Sequence, residues 1–189
     1  MTGSLCAFLD ASVLYPVSLR NLLMTLTFNG LFQARWSADV HEEWIRSVRR
    51  DRPDIPLDRL QSVRAAMDRH SEDCLVTGYR PLIGAIILPD PDDRHVLAAA
   101  IVARASIIVT RNLRDFPAAV LDPYGIEAQH PDEFLRHLLD LAPVLVVDSV
   151  RQQQADLLNP PVSMPDLLAI FERLSLMETV TELRRLLML

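Results

Sequence analysis

Short apolar runs alternate with helical stretches through residue 142, and the runs end on or beside a polar residue. "LCAFLD" (5–10) and "SIIVT" (106–110) are the clearest. Continuous apolarity over so short a length suits a strand buried on both faces, as in a parallel sheet. "CLVTGY" (74–79) reads as a third strand and "IEAQ" (126–129) as a weaker fourth. Between them the period changes. Residues 18–32 place Leu19, Leu22, Leu23 and Leu26 on one face, with Asn29-Gly30 as a stop. Residues 37–50 start from Ser37 as N-cap and align Val40, Trp44 and Val48. Further helices are predicted over 56–70, with Pro56 in the first turn, over 92–105 and over 131–142. Parallel neighbours need a crossover connection, so this order predicts an α/β fold with helices on both faces of a parallel sheet. After Pro143 only helical patterns follow, interrupted at Asn159-Pro160-Pro161. The expected organisation is a sheet-containing domain over 1–142 and a helical C-terminal extension over 143–189.

Composition narrows the function. Half of the 189 residues are hydrophobic, enough for a sizeable core. No apolar run approaches the ~18 residues that span a bilayer, so no membrane association is expected. "MTGSLCAFLD" lacks a basic leader and meets an aspartate early, and Cys6 and Cys74 read as reduced thiols in apolar surroundings. A cytoplasmic protein is expected. Net charge is −6, yet all 19 basic residues are arginine. The lack of lysine excludes Schiff-base chemistry, a P-loop and a response-regulator receiver. A G-x-G-x-x-G loop, an H-E-x-x-H pair and a G-x-S-x-G elbow are also missing. A haloacid-dehalogenase-type pair would need an acid where Ser12 stands.

The acids carry the chemistry. Asp10 ends the first strand, and Asp115 lies just beyond "SIIVT". In "LPDPDDRH" (88–95), Asp90, Asp92 and Asp93 open the helix feeding that strand, and Glu42 or Glu43 comes from the helix at 37–50. Ligands of open parallel sheets bind beyond the carboxyl ends of the strands, where these residues gather. Any one of them has an ordinary structural explanation, and a helix cap accounts for Asp92 alone. Together, carboxylates without a lysine to balance them suit a hard cation, Mg²⁺ or Mn²⁺, which activates water and clamps phosphate oxygens.

"FLDASVLYP", "WSADVHEEW" and "LPDPDDRHVLAAAIVARASIIVTRNLRDFP" resemble the PIN domain nucleases, in particular the VapC-like toxins of bacterial toxin–antitoxin pairs. The resemblance covers about 5–135, and "NPPVSMPDLLAIFERL" is similar to the helical C-terminal extension of one subgroup. It implies a PIN-like sheet and a Mg²⁺-dependent ribonuclease (Mn²⁺ as substitute) leaving a 5′-phosphate and a 3′-hydroxyl. By position, the family's acids fall on Asp10, Glu43 (whose phase is favoured over Glu42), Asp93 and Asp115. Asp90, Thr110 and Asn112 are auxiliary candidates, Asn112 standing where many family members carry an acid. Arg46, Arg49, Arg111 and Arg114 are the candidates for phosphate contact. RNA, a small antitoxin protein and a second copy in a homodimer are the partners this implies. The competing expectation is a PIN-fold protein-interaction module with a weak or inactive metal site, its apolar helices serving an interface.

Overall fold

In the computed structural model, which describes residues 5–70, 73–158 and 160–188, the predicted alternation becomes five parallel strands. β1 (Cys6–Leu9) leads through a short α1 (Ala11–Leu14) and α2 (Val17–Phe28) to β2 (Gln33–Ser37). α3 (Ala38–Asp51) and α4 (Leu57–Asp68) connect β2 to β3 (Leu75–Val76). α5 (Arg80–Ile83), a 3-10 turn at Pro91–Asp93 and α6 (Arg94–Val102) return the chain to β4 (Ile107–Val109). A second 3-10 turn (Leu113–Asp115), α7 (Ala118–Leu121) and a third (Asp122–Tyr124) precede β5 (Glu127–Gln129). α8 (Pro131–Leu141), α9 (Pro143–Asp156), α10 (Met164–Arg173) and α11 (Met177–Leu187) complete the chain. The strand order is β3-β2-β1-β4-β5. Strand order therefore reverses at β1, with Leu9 paired to Val109 across the β1–β4 boundary.

Two local expectations change, and the stop at Asn29-Gly30 holds. β2 was absent from the sequence reading; its polar Gln33 and Arg35 alternate with Ala34 and Trp36, and the run is too short for that period to stand out. α2 ends at Phe28, because Gly30 takes a positive φ of 78° and Leu31 N–H closes back on the Leu26 carbonyl at 3.1 Å. Pro56 is the N-cap of α4 and not a residue of its first turn. Asn159 lies outside the described residues.

A buried polar network locks α3 in place. Ser37 accepts from Val40 N–H at 3.2 Å as the predicted cap. Trp44 Nε1 donates to His41 Nδ1 at 2.8 Å, so the neutral ring carries its proton on Nε2, which meets Asp68 at 2.9 Å. Trp36 Nε1 donates to the same Asp68 oxygen at 2.8 Å, tying β2, α3 and α4 together. Burial lowers the His41 pKa, against the opposing pull of Asp68. Arg20 of α2 lies over the Trp44 ring at 4.8 Å and donates to the Leu14 carbonyl at 2.7 Å; burial draws its pKa down to about 10.

The C-terminal helices share the core of the sheet domain, with Val146, Val150, Leu167, Phe171, Val180 and Leu183 all buried in it. Polar contacts reinforce this packing. Asn29 donates to Ser149 Oγ at 2.8 Å, and Gln153 donates to the Ser18 carbonyl at 2.9 Å. Asp132 of α8 receives the Glu178 and Thr179 N–H groups of α11 at 3.0 and 2.8 Å, acting as a cap supplied from another helix.

Candidate active site

The carboxyl ends of β1 and β4 sit side by side at the reversal of strand order, where an open parallel sheet leaves a crevice. The crevice has a volume of about 820 Å³, and Asp10, Glu43, Asp90, Asp92 and Asp93 line it. Asp10 is its best-held acid. Its side chain is buried at 4% exposure and caps α1, accepting from Ala11 N–H at 2.6 Å. The other carboxylate oxygen accepts from Ser12 Oγ at 2.6 Å and Thr110 Oγ1 at 2.8 Å. Thr110 Oγ1 in turn accepts from Asn112 N–H, and Ser12 Oγ from Arg111 N–H, both at 3.0 Å. Two hydroxyls thus fasten the β1 carboxylate to the end of β4.

Glu43 faces this crevice while Glu42 faces a separate groove beside α4. The Glu43 carboxylate contacts His95 Nε2 at 2.8 Å. Burial lowers the proton affinity of His95, but the Glu43 bond and the charges of Glu43, Asp39 and Asp10 outweigh it, so its pKa is raised. The ion pair of His95 with Glu43, 52 residues away, has no local signature in the sequence.

The Asp90–Asp93 segment differs from its expected division of labour. Asp90, not Asp92, is the cap: its side chain accepts from Asp92 N–H at 2.9 Å at the head of the 3-10 turn. Pro91 makes this turn tight, so the capping position falls two residues earlier than the helical pattern suggested. Asp93 is partly buried and is pushed up to about 7, first by desolvation and then by the charges of Asp10, Asp115, Asp90 and Glu43. Asp115 therefore bears electrostatically on Asp93, although it sits in the Leu113–Asp115 turn and does not line the crevice.

Of the predicted arginines, Arg46 and Arg111 line the crevice. Arg49 lies instead in the α3–α4 groove, and Arg114 is an exposed residue of the turn bearing Asp115. Arg50, unforeseen as a crevice residue, is there with its guanidinium paired to Asp51 at 2.8 Å. Tyr15 lines the same wall and donates to Asp51 at 2.8 Å.

Among the described residues, no group of three or more His, Cys, Asp or Glu side chains is placed so that it could hold a metal ion. The donor chemistry nevertheless fits Mg²⁺, which prefers oxygen ligands and commonly retains several waters while taking one or two carboxylates directly. Burial first and then the neighbouring negative charges raise Asp93, and a cation at this position would relieve the repulsive part.

A family model described as "PIN domain" matches residues 6–114, more than half of the chain and the whole span that builds this crevice. The chain belongs to the PIN domain family. A second model, "VapC50 C-terminal domain", matches residues 131–185. A curated relative from Mycobacterium tuberculosis (strain ATCC 25618 / H37Rv), "Putative ribonuclease VapC50", is 55% identical over 64 residues. That stretch covers 34% of this chain and 37% of the relative. No solved structure matches significantly. No helix among the described residues is long and apolar enough to cross a membrane.

Proposed function

We propose that this PIN domain protein is a Mg²⁺-dependent endoribonuclease of the VapC type, acting in the cytoplasm as the toxin of a toxin–antitoxin pair. The observation carrying the reading is the convergence of Asp10, Glu43 and Asp93 on one crevice at the reversal of strand order. The PIN family match and the resemblance to VapC50 support RNA as substrate and a small antitoxin as partner. A homodimer belongs to the same proposal.

Asp10 and Asp93 would hold Mg²⁺, or Mn²⁺ in its place, with Glu43 and Asp115 contributing through water. When bound, the ion supplies a water of lowered pKa and positive charge beside the phosphate oxygens. The protein's own residues prepare the site. Ser12 and Thr110 fix the Asp10 carboxylate, and His95 orients Glu43. Asp90 shapes the turn that presents Asp93, and Asn112 secures Thr110 through its backbone N–H. Arg46 and Arg111 flank the acids and offset negative charge when a phosphodiester enters, with Arg114 nearby on the Asp115 turn. Unpaired RNA suits an open crevice better than a duplex, since the backbone has to reach acids set among the strand ends.

Single-stranded RNA incubated with Mg²⁺, followed by mapping of new 5′ ends, tests the reading. Wild-type protein is expected to generate 5′-phosphate ends, and Asp10→Asn and Asp93→Asn to lose at least roughly a hundredfold in rate, the upper range for disturbing even the outer shell of a metal site. Folded variants that cleave as fast as wild type would overturn the assignment of these acids, and wild type that cleaves no RNA in Mg²⁺ would replace the reading with the interaction module.

A further inference from the structure

The groove between α3 and α4 is a second cavity, of about 330 Å³, and it adjoins the acid crevice through one residue, Arg46, which lines both. Arg49 and Arg64 complete a row of three guanidinium groups, set over an apolar floor that includes Ile45 and Leu57. Glu42 is the acid in its lining. Arg46 and Arg49 are exposed, and among the described residues neither pairs with a carboxylate, whereas Arg50 and Arg52 on the same stretch do. Arg64 is held only loosely, 3.8 Å from Asp68.

Neighbouring arginines with little or no carboxylate pairing among the described residues, in a chain with net charge −6, are unused anion-binding capacity. Their spacing follows the helix. Glu43, Arg46 and Arg49 recur every three residues, so Arg49 stands about 9 Å along α3 from the crevice acid. A polyanion leaving the crevice past Arg46 would meet Arg49 and then Arg64, while the apolar floor can receive an unstacked base.

We propose that the α3–α4 groove binds the single-stranded RNA segment adjoining the scissile phosphate, with Arg46 at the junction and Arg49 and Arg64 contacting successive phosphates. This rests on the ribonuclease reading above. The groove extends the substrate site by a positively charged exit track, so the protein grips RNA beyond the bond it cleaves.

The test uses the full chain and a fluorescently labelled single-stranded RNA of about a dozen nucleotides, with EDTA present to prevent cleavage. Affinity is measured against salt for wild type, R49Q/R64Q and R49K/R64K, each checked for thermal unfolding. Loss of two phosphate contacts is expected to weaken binding roughly tenfold at 0.15 M salt and to reduce the salt slope by about 1.4. R49K/R64K retains most of the slope, because charge and not fork geometry sets counterion release. A dinucleotide, whose single phosphodiester cannot lie at the acids and along the groove at once, shows a much smaller loss. R49Q/R64Q matching wild type in affinity and slope, while wild type still cleaves RNA with Mg²⁺, overturns the groove assignment alone. An acidic protein segment occupying the groove in place of RNA would give that same result. A loss of equal size on the dinucleotide also overturns it. Wild type that neither binds nor cleaves RNA overturns the underlying ribonuclease reading as well.

Discussion

Replacing Asp93 by asparagine should stabilise the metal-free protein at alkaline pH while destroying its response to Mg²⁺. Asp93 is raised from 3.8 to about 7 by burial and by the surrounding acids. The unfolded chain releases this proton near 3.8 and the native state keeps it until about 7, so between those values the native state binds more protons. Stability therefore falls as pH rises across that window and is lowest above it. The gap corresponds to ~4 kcal/mol as a ceiling. Asp93 is only partly buried and the crevice is open to water, so screening leaves about 1–2 kcal/mol. In EDTA at pH 8, Asp93→Asn should raise the melting temperature by roughly 2–8 °C, and the gain should vanish near pH 4. Mg²⁺ at a hundredfold excess over its Kd should stabilise wild type by ~2.7 kcal/mol and the variant far less. Calorimetric melts at the two pH values, with and without Mg²⁺, measure all of this. An Asp93→Asn protein that is less stable than wild type at pH 8, or that gains equally at both pH values, would refute the claim that burial and repulsion at Asp93 are stored in the fold.

Other outcomes follow from neighbouring contacts. Ser12→Ala and Thr110→Val should each reduce RNA cleavage by about 10–100-fold with little loss of fold, read by rate and far-ultraviolet dichroism, because each frees the Asp10 carboxylate from one donor. Glu43→Gln should cost far more activity than Glu42→Gln in the same cleavage assay, since only Glu43 faces the acids. His41 is held neutral by burial, so its contribution is complete above the ordinary histidine range and is lost as pH falls below it. Asp93 changes stability in the opposite sense over the same interval, so the Asp93→Asn protein should lose stability on acidification from pH 7 to 5 more steeply than wild type, as measured by denaturant titration. Asp132→Ala should cost about 1–2 kcal/mol and expose α11 to hydrogen exchange, because two N–H groups at the start of that helix lose their acceptor.

Local chemistry was legible where it depended on neighbours in the chain. The alternation of apolar runs with helical periods gave an α/β parallel sheet, because buried strands and amphipathic helices leave different spacings. The Ser37 cap was readable for the same reason, its side chain reaching only three residues ahead. Asp10 stood out because it terminates a buried run, and the arginine-only basic set excluded lysine chemistry outright. The acid-rich "LPDPDDRH" marked a special turn, although the cap proved to be Asp90.

Tertiary structure decided everything that joins distant parts of the chain. It inserted β2 between β1 and β3, a strand whose short mixed pattern carries weak local information. It joined Thr110 to Asp10 and His95 to Glu43, pairs 100 and 52 residues apart. It separated Glu43 from Glu42 and turned Arg49 away from the acids, since adjacent positions on a helix point about 100° apart. Sequence spacing thus determined which residue types stand at the carboxyl ends of the strands. Which of them share one crevice depended on strand order and helix rotation, properties of the packed sheet and not of any local stretch.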